Sequence, residues 1–292
     1  AARITLPTWV TTGAGIGALG MLALAAAGVV PTPRWPGAIT RGSAPASVAA
    51  RAAEAESIMR RAAAVVRDAK TAAGLPVERG SDDASGALVG SEITPLVTTL
   101  GSLEAKRLAA SPAWARVLTV ELARQGIGDG SIVAANFSGS FPGLNLAVVS
   151  ATQALGARLV AVTSVTASTW GATDPGFTWP ELEVRLVRAG VVAAPVSAAI
   201  SVGGAGDRGT DLEPEARDLA HRIAADRARA LGARLLEPAS FEEAVQLRMA
   251  VFDERRAGAR LSDVGQATAF LANPCDGRAF ERIVDRSDLR GA

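Results

Sequence analysis

After about residue 111 the sequence alternates strand-like and helix-like runs, and nothing else restricts the fold as much. A β-rich run at 131–138 (SIVAANFS) leads into a helical stretch from about 142 to 155 and a second β-rich run at 158–165 (RLVAVTSV). Strands joined through a helix of this length lie parallel, since the crossover must return the chain to the same end of the sheet. The alternation continues with a short helix at about 180–188, a third run at 195–202, a helix at about 213–231 and a short strand at 234–236. Ser240-Phe-Glu-Glu243 is a capping box for a last helix reaching about residue 256. Ser111-Pro112 opens a helix to about residue 125. These runs predict an α/β domain over 111–256, with a parallel sheet covered by helices on both faces.

What precedes the domain is different in kind. Residues 9–30 (WVTTGAGIGALGMLALAAAGVV) form an uncharged run of 22 residues, enough as a helix to cross a hydrocarbon core of about 30 Å. Residues 1–30 therefore read as a membrane anchor, an N-terminal single-pass transmembrane helix. The alternative is a cleaved signal peptide, although this run exceeds the usual signal core of about 7–15 residues. Arg3 before the run and Arg34 and Arg41 after it do not fix the orientation. Four prolines mark 31–47 as a linker. Residues 48–110 read as a helical lead-in and loop: a long helix at about 48–73, with Ile58, Met59, Ala62, Val65 and Val66 as its apolar stripe, then a Gly-, Asp- and Ser-rich connection at 74–92. Residues 257–292 read as a charged, irregular tail in which the domain is cut short.

Ligands of open parallel sheets bind beyond the carboxyl ends of the strands, and three unusual loops fall there. The first, 138–145 (SGSFPGLN), runs into a helix N-terminus. Its free backbone N–H groups can bind an anion, Gly139 permits close approach, and Ser138, Ser140 and Asn145 add hydrogen-bonding groups. Equally, Ser140 can simply cap the helix that Pro142 starts. The loop matches neither the dinucleotide nor the Walker phosphate pattern, and it lacks the glycines of a nucleophile elbow. The second loop, 166–179, carries Trp170, Asp174, Phe177 and Trp179, fit either to line a groove or to pack on the sheet. In the third, 203–211, Gly203, Gly204 and Gly206 beside Asp207 and Arg208 suggest a backbone nest with a charge pair. The candidate binding set is Ser138, Gly139, Ser140, Asn145, Asp174, Gly203, Gly204, Asp207 and Arg208, converging on one cleft; no catalytic residue is assigned.

Composition removes several chemistries. With 30 Lys+Arg against 29 Asp+Glu, the chain lacks the basic excess of a nucleic-acid binder. His221 and Cys275 are the single histidine and cysteine, which leaves no metal site of His and Cys, and no cofactor is expected. On the 213–231 helix His221 lies about 200° from the apolar stripe of Leu219 and Ile223, on the solvated side.

Three segments in order resemble a known family: Thr98-Thr-Leu-Gly-Ser-Leu-Glu-Ala-Lys-Arg107, the 138–145 loop, and Ser168-Thr-Trp-Gly-Ala-Thr-Asp-Pro-Gly-Phe-Thr-Trp179. Together they look like the bacterial poly-γ-glutamate system protein family, over roughly residues 50–250. The resemblance implies a role in making, exporting or handling this polyanion at the cell membrane, beside the membrane subunits of the poly-γ-glutamate synthase. It implies no particular catalytic residue. The expected function is a membrane-anchored accessory component with an extracytoplasmic domain, binding polymer or synthase through the three loops. One alternative is a γ-glutamyl amide hydrolase or transferase with Ser138 or Ser140 as nucleophile, Asp174 or Asp207 assisting and Lys106 as base. The other is an unrelated membrane-tethered α/β module for a small ligand.

Overall fold

The computed structural model describes residues 46–78, 84–257 and 268–272; the 9–30 run, most of the linker and Cys275 lie outside these. Among the described residues no helix is long and apolar enough to cross a membrane.

The lead-in begins with α1 (Ala46–Ala72). Its alanines favour helix, and Ala55, Ile58, Met59, Ala62, Ala63 and Val66 bury at the three- and four-residue spacing of one helical face. A 3-10 turn (Ser85–Leu88) and β1 (Val97–Thr99) follow, then α2 (Leu103–Ala109) and α3 (Ala113–Arg124). The parallel sheet starts with β2 (Ile132–Phe137), α4 (Pro142–Leu155) and β3 (Arg158–Ser164), and a two-residue strand, β4 (Ala167–Ser168), lies just beyond β3. Then come α5 (Trp179–Arg188), β5 (Ser197–Ser201), a 3-10 turn (Ala205–Asp207), α6 (Pro214–Leu231), β6 (Arg234–Leu236) and α7 (Phe241–Ala257). The last strand is β7 (Thr268–Ala272).

The main sheet is parallel throughout, in the order β6-β5-β3-β2-β7. Two expectations change here. The 257–292 region is not irregular throughout, because its residues 268–272 pair with β2 from Ile132↔Thr268 to Asn136↔Ala272. Five strand-forming residues inside a charged stretch are too short a run to show a period of two. The lead-in also contains a strand: β1 pairs in parallel with β4, Val97 opposite Ala167.

Strand alternation divides the core. Val133, Ala135 and Phe137 on β2, with Leu159 and Ala161 on β3, join one cluster with α1, α3, α4 and α5. Ala134, Val160, Val162 and Ala199 point the other way, into a cluster with Met249, Val251 and Phe252 of α7. A third cluster seats Ala220, Ile223 and Ala224 of α6 against Ile200 and Val202. The lead-in helix thus shares a core with the sheet.

One buried acid joins α5 to β5. Glu183, 2% exposed, accepts hydrogen bonds from Val196 N (2.8 Å), Ser197 N (2.9 Å) and Ser197 Oγ (2.5 Å). Burial raises its pKa above the ordinary 4.5, and the three donors from Val196 and Ser197 only partly oppose this. The folded state therefore binds this proton more tightly than the unfolded chain does. The resulting stability is complete below pH 4.5 and is lost as the pH rises through the folded-state value. Glu183→Gln, neutral at every pH, should be less sensitive than the wild type to a rise from pH 5 to pH 7. Denaturant midpoints at the two pH values test this, and parallel losses in both proteins would refute it.

Candidate functional site

Three adjacent strands turn polar at their carboxyl ends. Asn136, Ser164 and Ser201 have the parity that sends Ala134, Val162 and Ala199 toward α7, and Ser164 lies opposite Ser201 in the register. Arg248 of α7 lies across all three. Its Nη1 donates to Asn136 Oδ1 (3.0 Å), and its Nη2 to Ser164 Oγ (2.9 Å) and Ser201 Oγ (2.7 Å). Asp207 takes the remaining edge in a bidentate pair, Oδ2 accepting from Nε at 2.9 Å and Oδ1 from Nη2 at 2.8 Å. Ser201 Oγ also donates to Asp207 Oδ1 at 2.7 Å. The two charged side chains are 13% and 9% exposed, so water screens the pair only weakly.

The cluster lies where the sheet changes direction. From β2 the chain winds outward through β3, β5 and β6, and β7 then returns to the other side of β2. Ligands of open parallel sheets bind outside the carboxyl ends of the strands at such a reversal. Asn136, opposite Ala272 of β7, is the β2 member of the cluster.

The nine residues expected to share one cleft fall into separate places. Ser138, Gly139, Ser140 and Asn145 are buried and spent on the protein itself. Ser138 Oγ accepts from Ser140 N (3.2 Å), Asn145 Nδ2 donates to Ser138 O (2.7 Å), and Ser140 Oγ accepts from Ser168 N (3.1 Å). Ser140 is therefore not the cap of α4, whose N-cap is Phe141 with no side-chain bond. At Gly139 the close neighbour is Ala172, whose N–H donates to the Gly139 carbonyl at 2.7 Å and whose carbonyl oxygen would meet an added methyl at 2.8 Å. The helix N-terminus is closed by protein too, since a methyl on Gly143 would lie 2.6 Å from Ala110 Cα.

The second loop is core rather than groove. Phe177 and Trp179 are 4% and 1% exposed, and Trp179 packs edge-on against Phe137 with ring centroids 5.6 Å apart. Asp174 belongs to another neighbourhood, where its Oδ2 accepts from Ser91 N at 3.2 Å. Its charge acts on buried Lys70, whose pKa is lowered by desolvation and partly restored by Asp174. Lys70 Nζ donates to Val89 O at 2.7 Å.

The third loop stays at the sheet edge. Gly203, Gly204, Gly206 and Asp207 all have positive φ, and Gly209 N donates back to Gly203 O at 2.7 Å. Its nest is filled from within, because Asp211 Oδ1 accepts from Ala205 N at 2.9 Å. Asp207 does form a charge pair, but with Arg248 and not with its neighbour Arg208. Arg208 is exposed, and its guanidinium makes no hydrogen bond or ion pair among the described residues.

A second polar cluster involves Lys106. Its Nζ donates to Ser140 O and to Ser168 Oγ (2.6 Å), and it sits 4.1 Å from the centre of the Phe141 ring. His221 is 40% exposed, with Nδ1 3.8 Å from Glu237 Oε1, in keeping with a place on the outer side of α6. Among the described residues no group of three or more His, Cys, Asp or Glu could hold a metal ion.

Sequence reasoning missed Arg248, Asn136, Ser164 and Ser201. One usable signal was present: each of the three apolar runs has a polar residue of the same strand parity within two residues of its end. Arg248 had none, since on α7 it is one arginine among several charged residues. No protein-family model matches the chain, nor does any curated protein or solved structure.

Proposed function

We propose that this chain is a binding component of a bacterial poly-γ-glutamate synthesis or export system. In this reading residues 9–30 tether it to the membrane, with the folded domain on the extracytoplasmic side. The loop after β5, at the carboxyl edge of the sheet, engages the polymer or the membrane subunits of its synthase. The choice of system rests on the resemblance carried by 98–107, 138–145 and 168–179.

One observation supports binding at this edge. Arg208 is exposed on a loop whose neighbouring Asp207 is locked by Arg248 to the ends of β2, β3 and β5. A cation presented on a fixed backbone meets a carboxylate without the further cost of ordering the loop. The net charge of +1 means attraction has to come from such local placement.

The full chain should retain γ-polyglutamate at low salt and release it as salt rises. Arg208→Ala should weaken retention about fivefold, the loss of one charge-assisted contact of about 1 kcal/mol. Equal retention of neutral dextran, or full retention by the variant, would overturn this reading.

A second reading, hydrolysis or transfer of γ-glutamyl amides, draws on the 2.6 Å contact between Lys106 Nζ and Ser168 Oγ. That contact moves the nucleophile from Ser138 or Ser140 to Ser168. Lys106 also donates to a carbonyl, the opposite of what a general base must do, so binding is favoured. Polymer that keeps its chain length on incubation with the protein would exclude this second reading.

A further inference from the structure

We propose an oxyanion-binding site between α5 and α6, independent of the function proposed above. Glu181, Val184, Arg185 and Arg188 recur on α5 at the spacing that places them on one helical face. With Gly176 and with Arg227 of α6 they line a cavity of about 130 Å³.

Three arginines and one glutamate thus line the cavity, and the carboxylate is engaged elsewhere. Glu181 Oε2 accepts from both Thr178 N and Thr178 Oγ1 at 2.9 Å, completing the capping box of α5. None of the three arginines forms an ion pair among the described residues. Arg185 is held in place, with Nη2 donating to Gly176 O at 3.2 Å and Cζ lying 4.6 Å above the Phe177 ring. Arg227 Nε is buried without a hydrogen-bond partner. Buried guanidinium N–H groups are normally satisfied, and like charges brought around one cavity repel. An oxyanion answers both, because its oxygens accept from several guanidinium N–H groups at once. The shared chemistry is that of a carboxylate or a phosphate group.

The test is thermal unfolding of the full chain in sodium phosphate and, separately, sodium glutarate, each against sodium chloride at equal ionic strength. A ligand that binds the folded state raises the melting temperature, and the rise follows its occupancy. We expect a dose-dependent rise beyond that in chloride, with apparent affinity at least fivefold lower in Arg188→Gln. Arg188 is exposed, so this variant leaves the core intact. In Arg188→Gln/Arg227→Lys the response should vanish. Response to phosphate alone, to glutarate alone or to both identifies the source within the proposed chemistry. A rise no larger than in chloride, or one that persists unchanged in the double variant, overturns the site.

Discussion

Replacing Arg248 with Met should cost about 3 kcal/mol of folding stability, because removing one partner of a buried pair leaves the other uncompensated. Asp207 would lose both charge-assisted bonds, and Asn136 Oδ1 would lose its Arg248 donor. Three strand ends and a turn depend on this one side chain, while methionine preserves most of its apolar stem. The contrast between single and double substitution separates the pair from mere packing. Asp207→Asn alone leaves a buried guanidinium facing a neutral amide, whereas Arg248→Met/Asp207→Asn leaves no unpaired charge. The double variant should therefore lose less than the sum of the singles, by about 1–3 kcal/mol. Urea midpoints for the four proteins measure this, and additive losses would show that the pair is not coupled.

The second large effect is expected at a glycine with ordinary φ. A methyl on Gly90 would fall on the carbonyl oxygen of Gly171, and it would lie 2.9 Å from that carbonyl carbon. Gly90 N already donates to Trp170 O (3.1 Å) and Trp170 N to Ser91 O (3.1 Å), so the two segments are tied at this crossing. Backbone cannot swing aside as a side chain can. Gly90→Ala should therefore cost about 3 kcal/mol, at the upper end for overpacking. Gly128→Ala is the matched control, since its φ is not positive and a methyl there meets nothing within 4 Å. That variant should stay within about 0.5 kcal/mol of the wild type. Comparable melting temperatures for the two variants would refute the crowding at Gly90.

The elements that periodicity revealed are those long enough to have a period. The 142–155 helix corresponds to α4 and the 158–165 run to β3. β1 and β4, with three and two residues, exist only because they find each other across the chain, and no local signal marks such pairing. The site was harder to read for a related reason. Small polar loops look alike whether a ligand or the protein's own backbone fills the space beside them. At 138–145 the occupants are Ala172, Ala109 and Ala110, brought there by tertiary structure. Of the nine expected residues, Asp207 joins the polar cluster at the sheet edge, Gly203 and Gly204 shape its loop, and Arg208 faces solvent from it. Arg248 comes from a helix 41 residues further on, a distance that no motif spans.

The place of β7 has a consequence for synthesis on the ribosome. β2 gains β3 as a neighbour almost at once, but its other edge is not covered until Thr268–Ala272 has been made. At about 5–20 residues per second, the interval from β2 to β7 is on the order of ten seconds. For that time a central strand of the finished sheet is an edge, with unpaired backbone groups able to recruit another nascent chain.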